Sequence, residues 1–346
     1  MTALFDQTIS TIVPVDESAM TQARTKLDGL LKPVGSLGKL EELAVQLAGI
    51  YRDPLPQIKA KAIVMMAADN GVYEEGFHAY PQNITKVLAE LAGPGLIGIC
   101  VLARQADSRL VVVDVGIKGK TVGDHILHKK VRDGTANISR GPAMSKEEAI
   151  KAIEVGIETV YKLADEGVGI FGTGEAGICN TTTTAAVLSA ITGISPEEIV
   201  GYGTGQDEKA FQLKLEAVKN SLAINQPDAE DIIDIIAKVG GLDIAGLVGC
   251  YLGAAAQKKP IIIDGFIAQT AALAAQRLNP LTRQYMIPSH LSAEKGAQIV
   301  FEQLHMEPML LLNMRLGEGT GAALAFHLVD ASCRIINEMG SFADLA

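Results

Sequence analysis

The sequence predicts an α/β protein: a parallel sheet with helices on both faces, plus a small helical unit built from the two ends of the chain. Two observations carry this. Short, continuous apolar runs recur, each closing in Gly, Asp, Asn, Ser or Thr and most followed by a stretch with helical spacing. Unbroken apolar runs are strands buried on both faces, as parallel sheets require and half-solvated antiparallel sheets do not. Both ends of the chain carry helical spacing instead. The expected sheet unit covers residues 32–288, and the expected helical unit joins 1–31 to 289–346.

Taken in order, residues 18–31 read as a helix stopped by Lys32-Pro33. A second helix starts at Ser36, a suitable N-cap, with Leu37, Leu40, Leu43 and Leu47 on one face. The predicted strand runs are 61–68 before Asp69-Asn70-Gly71, 110–113 before Asp114-Val115-Gly116, and 168–171 before Gly172-Thr173-Gly174-Glu175. They continue with 199–202 before Gly203-Thr204-Gly205, 261–263 before Asp264-Gly265, and 285–288 before Ser289-His290. Helices are expected again over 292–304 and 322–339. No period of 20–50 residues repeats, which excludes solenoids and propellers. In open α/β sheets ligands bind outside the carboxyl ends of the strands. The chemistry is therefore expected near Asp69, Glu175, Gly203, Asp264 and Ser289, with Glu318 brought to that edge by the C-terminal segment.

Composition narrows the partners. The chain has 346 residues, 48% of them hydrophobic, and a formal charge of −10. Without a basic block it does not suit nucleic acid, whose phosphates need clustered Lys and Arg. A small anionic substrate stays open, because backbone N–H groups bind phosphate locally. Cys100, Cys179, Cys250 and Cys333 form no C-x-x-C pair and read as reduced, mostly buried thiols. The charge-free run over 244–256 is shorter than the ~20 residues of a membrane span. The start of the chain lacks the features of a secretory signal. A cytoplasmic enzyme is expected. The six histidines show no metal-ligand spacing, and neither metal nor cofactor is expected.

The stretch Arg315-Leu316-Gly317-Glu318-Gly319-Thr320-Gly321 sets one carboxylate among glycines just before an apolar helical run. Bare backbone on either side lets a substrate approach the acid closely. The alternative is a solvated acid at a helix entry. Gly172-Thr173-Gly174-Glu175-Ala176-Gly177 matches G-x-G-x-x-G after a strand, the feature behind a competing dehydrogenase assignment. A dinucleotide site, however, wants that match early in the chain with an acid about 20 residues on. The turn and the Thr run after it suit a single phosphate instead, or simply a helix start capped by Asn180 and Thr181. His290 reads as a hydrogen-bonded structural histidine, and Lys214 as part of a solvated helix face.

Several longer blocks then converge. Leu30-Leu31-Lys32-Pro33-Val34-Gly35-Ser36-Leu37-Gly38, Ala68-Asp69-Asn70-Gly71, Glu175 to Thr182, Ala223 to Pro227, Ile287 to Gly296 and Arg315 to Gly319 resemble the CobT family of nicotinate-nucleotide–dimethylbenzimidazole phosphoribosyltransferases, in that family's order and over essentially the whole chain. The resemblance implies a Rossmann-like sheet domain with a small helical domain, and transfer of ribose 5-phosphate from nicotinate mononucleotide to the lower-ligand base of a cobamide. It implies a dimer whose partner contributes to the site. Glu318 matches the general base, Glu175 a second acid near ribose and base, and Lys214 an active-site lysine. Gly177, Asn180, Thr181, Gly203 and Ser289 are implied at the phosphate, and Arg315 on the substrate side. Tyr80 and Leu88 fall on the base-contacting segment, where benzimidazole-using members tend to have a small polar residue and Gln. Leucine cannot hydrogen-bond a ring nitrogen. The pair therefore suggests the branch that activates phenol and p-cresol as a heterodimer of similar subunits. A homodimer with either acceptor and a non-catalytic partner subunit of the same fold are the remaining alternatives.

Overall fold

The computed structural model describes residues 3–78, 80–203 and 207–345. Its centre is a six-stranded sheet in the order β3-β2-β1-β4-β5-β6, parallel at every pairing. The strands are β1 (Lys61–Ala68), β2 (Arg109–Gly116), β3 (Ile126–His128), β4 (Ile170–Ala176), β5 (Ile261–Ile263) and β6 (Met286–Pro288). The order reverses between β1 and β4, a Rossmann-type switch that opens a crevice beyond the strand ends.

Alternation along β1 shows why its run had to be apolar throughout. Ala62, Val64, Met66 and Ala68 enter one core, while Ile63, Met65 and Ala67 enter the other. Both faces are covered, so every position is internal.

The chain begins with α1 (Ala3–Thr11), α2 (Glu17–Asp28) and α3 (Lys39–Tyr51). Asp16 caps α2, its Oδ1 accepting the Ala19 N–H at 2.9 Å. Ser36 does not cap α3. The Glu41 carboxylate accepts the Leu37 N–H and pairs with buried Lys32 at 2.9 Å, so the 32–38 turn is pinned before helix can start. Leu43 and Leu47 are buried as the spacing required, whereas Leu37 and Leu40 are only half-buried.

Next come α4 (Ile84–Leu91), α5 (Gly98–Gln105) and α6 (Lys146–Asp165), the last opened by a capping box between Ser145 and Glu148. α7 (Asn180–Thr192) follows β4, and α8 (Pro196–Ile199), α9 (Glu208–Asn225), α10 (Ile232–Val239) and α11 (Leu242–Ala256) lead to β5. The expected strand at 199–202 is absent. Ile199 ends α8, a four-residue helix opened by Pro196, and residues 200–202 follow it without joining the sheet. Thr204 and Gly205 lie outside the described residues.

α11 contains the charge-free run and is buried along its length against α6. Glycine makes that contact: a Cβ at Gly156 would stand 2.0 Å from the Gly246 carbonyl oxygen, and one at Gly249 1.8 Å from that of Ile153. Among the described residues no helix is long and apolar enough to cross a membrane.

The chain closes with α12 (Phe266–Leu278), α13 (Ala297–Leu304) and α14 (Thr320–Glu338). Residues 292–296 do not begin α13 as expected but run past the strand ends before it. Ile336 of α14 packs with Ala23 and Leu27 of α2 and Ala44, Val45 and Ala48 of α3. Phe326 and Val329 of α14 also enter the core on one sheet face, so the terminal helices and the sheet share α14.

Candidate active site

A cavity of about 380 Å³ opens outside the carboxyl ends of β4 and β5. The end of β4, the first turns of α7 and α12, the 77–88 segment and residues 315–318 form its walls. Tyr80, Leu88, Glu175, Gly177, Asn180, Thr181, Gly203, Arg315 and Glu318 all line it. Lys214 and Ser289 do not.

Glu318 is presented by a turn that only this sequence pattern permits. Gly317, Glu318 and Gly319 have φ of 82°, 63° and 98° in succession. The left-handed region is open to glycine and costs a residue such as Glu about a kcal/mol or more. The turn sits on β4, where a Cβ at Gly174 would lie 2.3 Å from the Glu318 carbonyl oxygen. Asp264, closing β5, fixes it from the other side. Its Oδ2 accepts the Gly319 N–H at 3.1 Å, and its Oδ1 accepts those of Gly321 and Ala322 at 2.7 and 3.1 Å. Glu318 Oε2 accepts the Ile99 N–H at 2.9 Å. Burial raises the carboxyl above its ordinary value and the Asp264 charge adds to that, while the Ile99 hydrogen bond opposes both. A carboxylate raised in this way is a better proton acceptor at neutral pH.

Glu175 closes β4 and is pushed up to about 8, first by burial and then by the Asp243 charge, with an Asn180 hydrogen bond opposing. It packs against the Glu318 turn: a Cβ at Gly317 would be 2.2 Å from Glu175 Oε1. Asn180 Nδ2 donates to Glu175 Oε2 and, at 3.2 Å, to Asp243 Oδ2. Burial raises Asp243 to about 6.

The first turn of α7 faces the cavity without a side-chain cap. Cys179 takes φ 66° at the N-cap position, so Asn180 and Thr181 lie in the helix rather than capping it. The positive end of the helix dipole there suits an anion, although the Asn180 and Thr182 N–H groups already donate to the Gly177 and Cys179 carbonyls. Lys214 lies behind this wall, 1% exposed, and donates to Thr181 Oγ1 and the Gly201 carbonyl, each at 3.0 Å. It is not on a solvated face; burial lowers its pKa, and no carboxylate pairs with it among the described ion pairs. Gly203, at φ 60°, lies close to both groups. Ser289 is turned inward: its N–H and hydroxyl both donate to the Ile263 carbonyl. The serine on the cavity wall is Ser292, which the sequence expectation had not chosen.

Phe77, Ile84, Leu88, Ala176 and Leu316 add an apolar lining to the same cavity, with Tyr80 half-exposed. Ala79, inside the expected base-contacting segment, lies outside the described residues. The G-x-G-x-x-G match is not a phosphate loop. All but Gly177 lies within β4, where its glycines let other elements approach; a Cβ at Gly172 would meet Ile63 Cδ1 at 2.5 Å. No group of three or more potential metal ligands occurs among the described residues.

A phosphoribosyltransferase family model matches residues 12–346. The nicotinate-nucleotide–dimethylbenzimidazole phosphoribosyltransferase of Ruminiclostridium cellulolyticum is 50% identical over 340 residues, 98% of this chain and 97% of its own length. The enzyme of that name from Clostridium acetobutylicum is 47% identical, covering 95% and 93%. The crystal structure of CobT from Thermus thermophilus superposes with a TM-score of 0.91 at 38% identity, covering 95% of this chain and 98% of that one.

Proposed function

Since the chain belongs to this phosphoribosyltransferase family, we propose that it moves ribose 5-phosphate from nicotinate mononucleotide to the lower-ligand base of a cobamide, releasing nicotinate and an α-ribotide. One observation carries the assignment of roles: Glu318 lines one cavity together with the helix start at Asn180 and Thr181 and with the apolar side chains Phe77, Ile84 and Leu88. The donor phosphate lies on the first turn of α7 and Gly203, with the Lys214 cation behind them. The acceptor ring lies against Leu88, Ile84 and Phe77. The acceptor's O–H or N–H proton passes to Glu318 as its heteroatom bonds to C1′. The C1′–N bond breaks, and its electron pair neutralises the pyridinium ring. The donor therefore needs no acid. Attack opposite the departing ring turns the β-linkage into α. Much of the acceleration comes from alignment of the two rings and the ribose. Glu175, protonated at neutral pH by its surroundings, donates to the ribose or base. Arg315, exposed at the cavity rim, meets the donor's anionic groups.

The acceptor is a one-ring phenol. Leu88 offers no hydrogen bond to a ring nitrogen, while Tyr80 adds a hydroxyl-bearing side chain to the same lining. A benzimidazole acceptor is the second reading, supported by the names of the relatives. The active form is a dimer with an identical or paralogous partner. Exposed Leu316 on the cavity lining, with exposed Leu311 and Leu312 a few residues before it, supports a covered face there. Residues 32–288 act as the sheet unit and 1–31 with 289–346 as the helical unit. The test is nicotinate release from nicotinate mononucleotide with phenol, p-cresol and dimethylbenzimidazole side by side. Release with the phenols supports the assignment. Release with dimethylbenzimidazole alone replaces the acceptor, and release with none ends the transfer proposal.

A further inference from the structure

Asp243 stands in the first turn of α11, fully buried, and does not line the cavity. Its Oδ1 accepts the Ile244 N–H at 3.0 Å and its Oδ2 accepts Asn180 Nδ2 at 3.2 Å. Glycines make room for it. A Cβ at Gly177 would be 2.7 Å from Oδ2, and one at Gly241 2.3 Å from Oδ1. A helix-start acid in solvent would need no such clearance.

A primary amide nitrogen carries two hydrogens. Asn180 gives one to Glu175 and the other to Asp243, so both are used. Glu175 alone would not fix the amide, because a carboxyl that holds a proton can face either end of it, donating to the oxygen or accepting from the nitrogen. A second acceptor on the same side removes that freedom. The amide nitrogen is then held between the two acids, and Asn180 Oδ1, with no protein partner among the described hydrogen bonds, is left for the cavity that Asn180 lines.

We propose that Asp243 is a positioning residue for the transfer reaction, setting the amide orientation of Asn180 and, through that amide, the rotamer of Glu175. It rests on the contact of Glu175 with substrate proposed above. The charged groups facing Glu175 are Asp243 from α11, Asp264 from the end of β5 and Glu318 from the turn before α14, with the neutral Asn180 amide from α7. Removing the Asp243 charge leaves Glu175 easier to ionise.

The test is Asp243→Asn, with Asp243→Ser beside it in case the first does not fold. Serine removes both the charge and the outer oxygen that Asn180 meets, in a shorter side chain. Nicotinate release is followed from pH 5 to 10 in folded protein. The expected result is a ~10-fold or greater fall in kcat/KM and a basic limb moved to lower pH by about one unit. A melting temperature that falls while the limb stays in place means Asp243 is only structural and overturns the proposal, as does a wild-type profile. Absence of turnover by the wild-type protein with every base is a different failure, that of the transfer reaction itself.

Discussion

Asp264 Oδ1 accepts the Gly321 N–H at 2.7 Å, so the residue that closes β5 caps a helix 57 positions later in the chain. With Gly319 and Ala322 on the same carboxylate, three backbone donors at the start of α14 are tied to the sheet edge. Caps on an ionised acid are charge-assisted and stronger than neutral ones. The Glu318 turn thus takes its position from a strand end and a helix start together.

Asp264→Asn tests that anchoring. The amide nitrogen must face at least one N–H, leaving a buried donor unmatched at about 1–3 kcal/mol. Thermal denaturation is expected to show a lower midpoint, and nicotinate release a lower kcat. A variant as stable and active as the wild type would show that the turn is held by its own conformation.

Gly174→Ala places a methyl where the Glu318 carbonyl oxygen lies 2.3 Å away. Backbone cannot yield as a side chain tip can, so the turn must lift off β4. Turnover is expected to drop ~10²-fold, the scale of an ångström-sized misplacement, with nucleotide binding by calorimetry less affected. Unchanged kcat would separate the turn's fit from catalysis.

Glu175 sets a pH dependence of stability. Its folded-state value, about 8, exceeds the unfolded reference of 4.5. The native state therefore binds the proton more tightly, and this contribution to stability is full below pH 4.5 and lost as pH rises through about 8. Glu175→Gln, which cannot ionise, is expected to melt several degrees higher than the wild type at pH 9 and nearly to match it at pH 5. Equal melting curves at pH 9 would mean that Glu175 ionises without difficulty in the fold.

Leu88→Gln addresses the acceptor. An amide on the apolar lining gives a ring nitrogen a partner at the expense of apolar contact. The ratio of kcat/KM for dimethylbenzimidazole over phenol is expected to rise by about tenfold, equivalent to ~1.4 kcal/mol, the scale of one hydrogen bond. An unmoved ratio would remove Leu88 from the specificity of the site.

Five strands were legible because a strand buried on both faces must be apolar throughout. β3 was not, since three residues at a sheet edge leave no such run. The false strand at 199–202 arises because a short apolar run is equally compatible with the end of a helix. Glu318 was legible from its glycines, which the left-handed turn requires. Lys214 was hidden by its exposed neighbours Gln212 and Glu216, which read as a solvated face although the lysine points inward. Ser289 and Ser292 could not be told apart, because which hydroxyl faces the cavity depends on the Ile263 carbonyl that captures the first. The capping by Asp264 and the bridge through Asp243 join residues distant in sequence, which no local pattern records.

The most direct measurement is single-turnover nicotinate release by Glu318→Gln beside the wild type, with nicotinate mononucleotide binding measured on both. If Glu318 takes the acceptor's proton, release falls ~10²–10⁴-fold while nucleotide affinity stays the same. Release at a near wild-type rate would contradict the account and give the proton to another group.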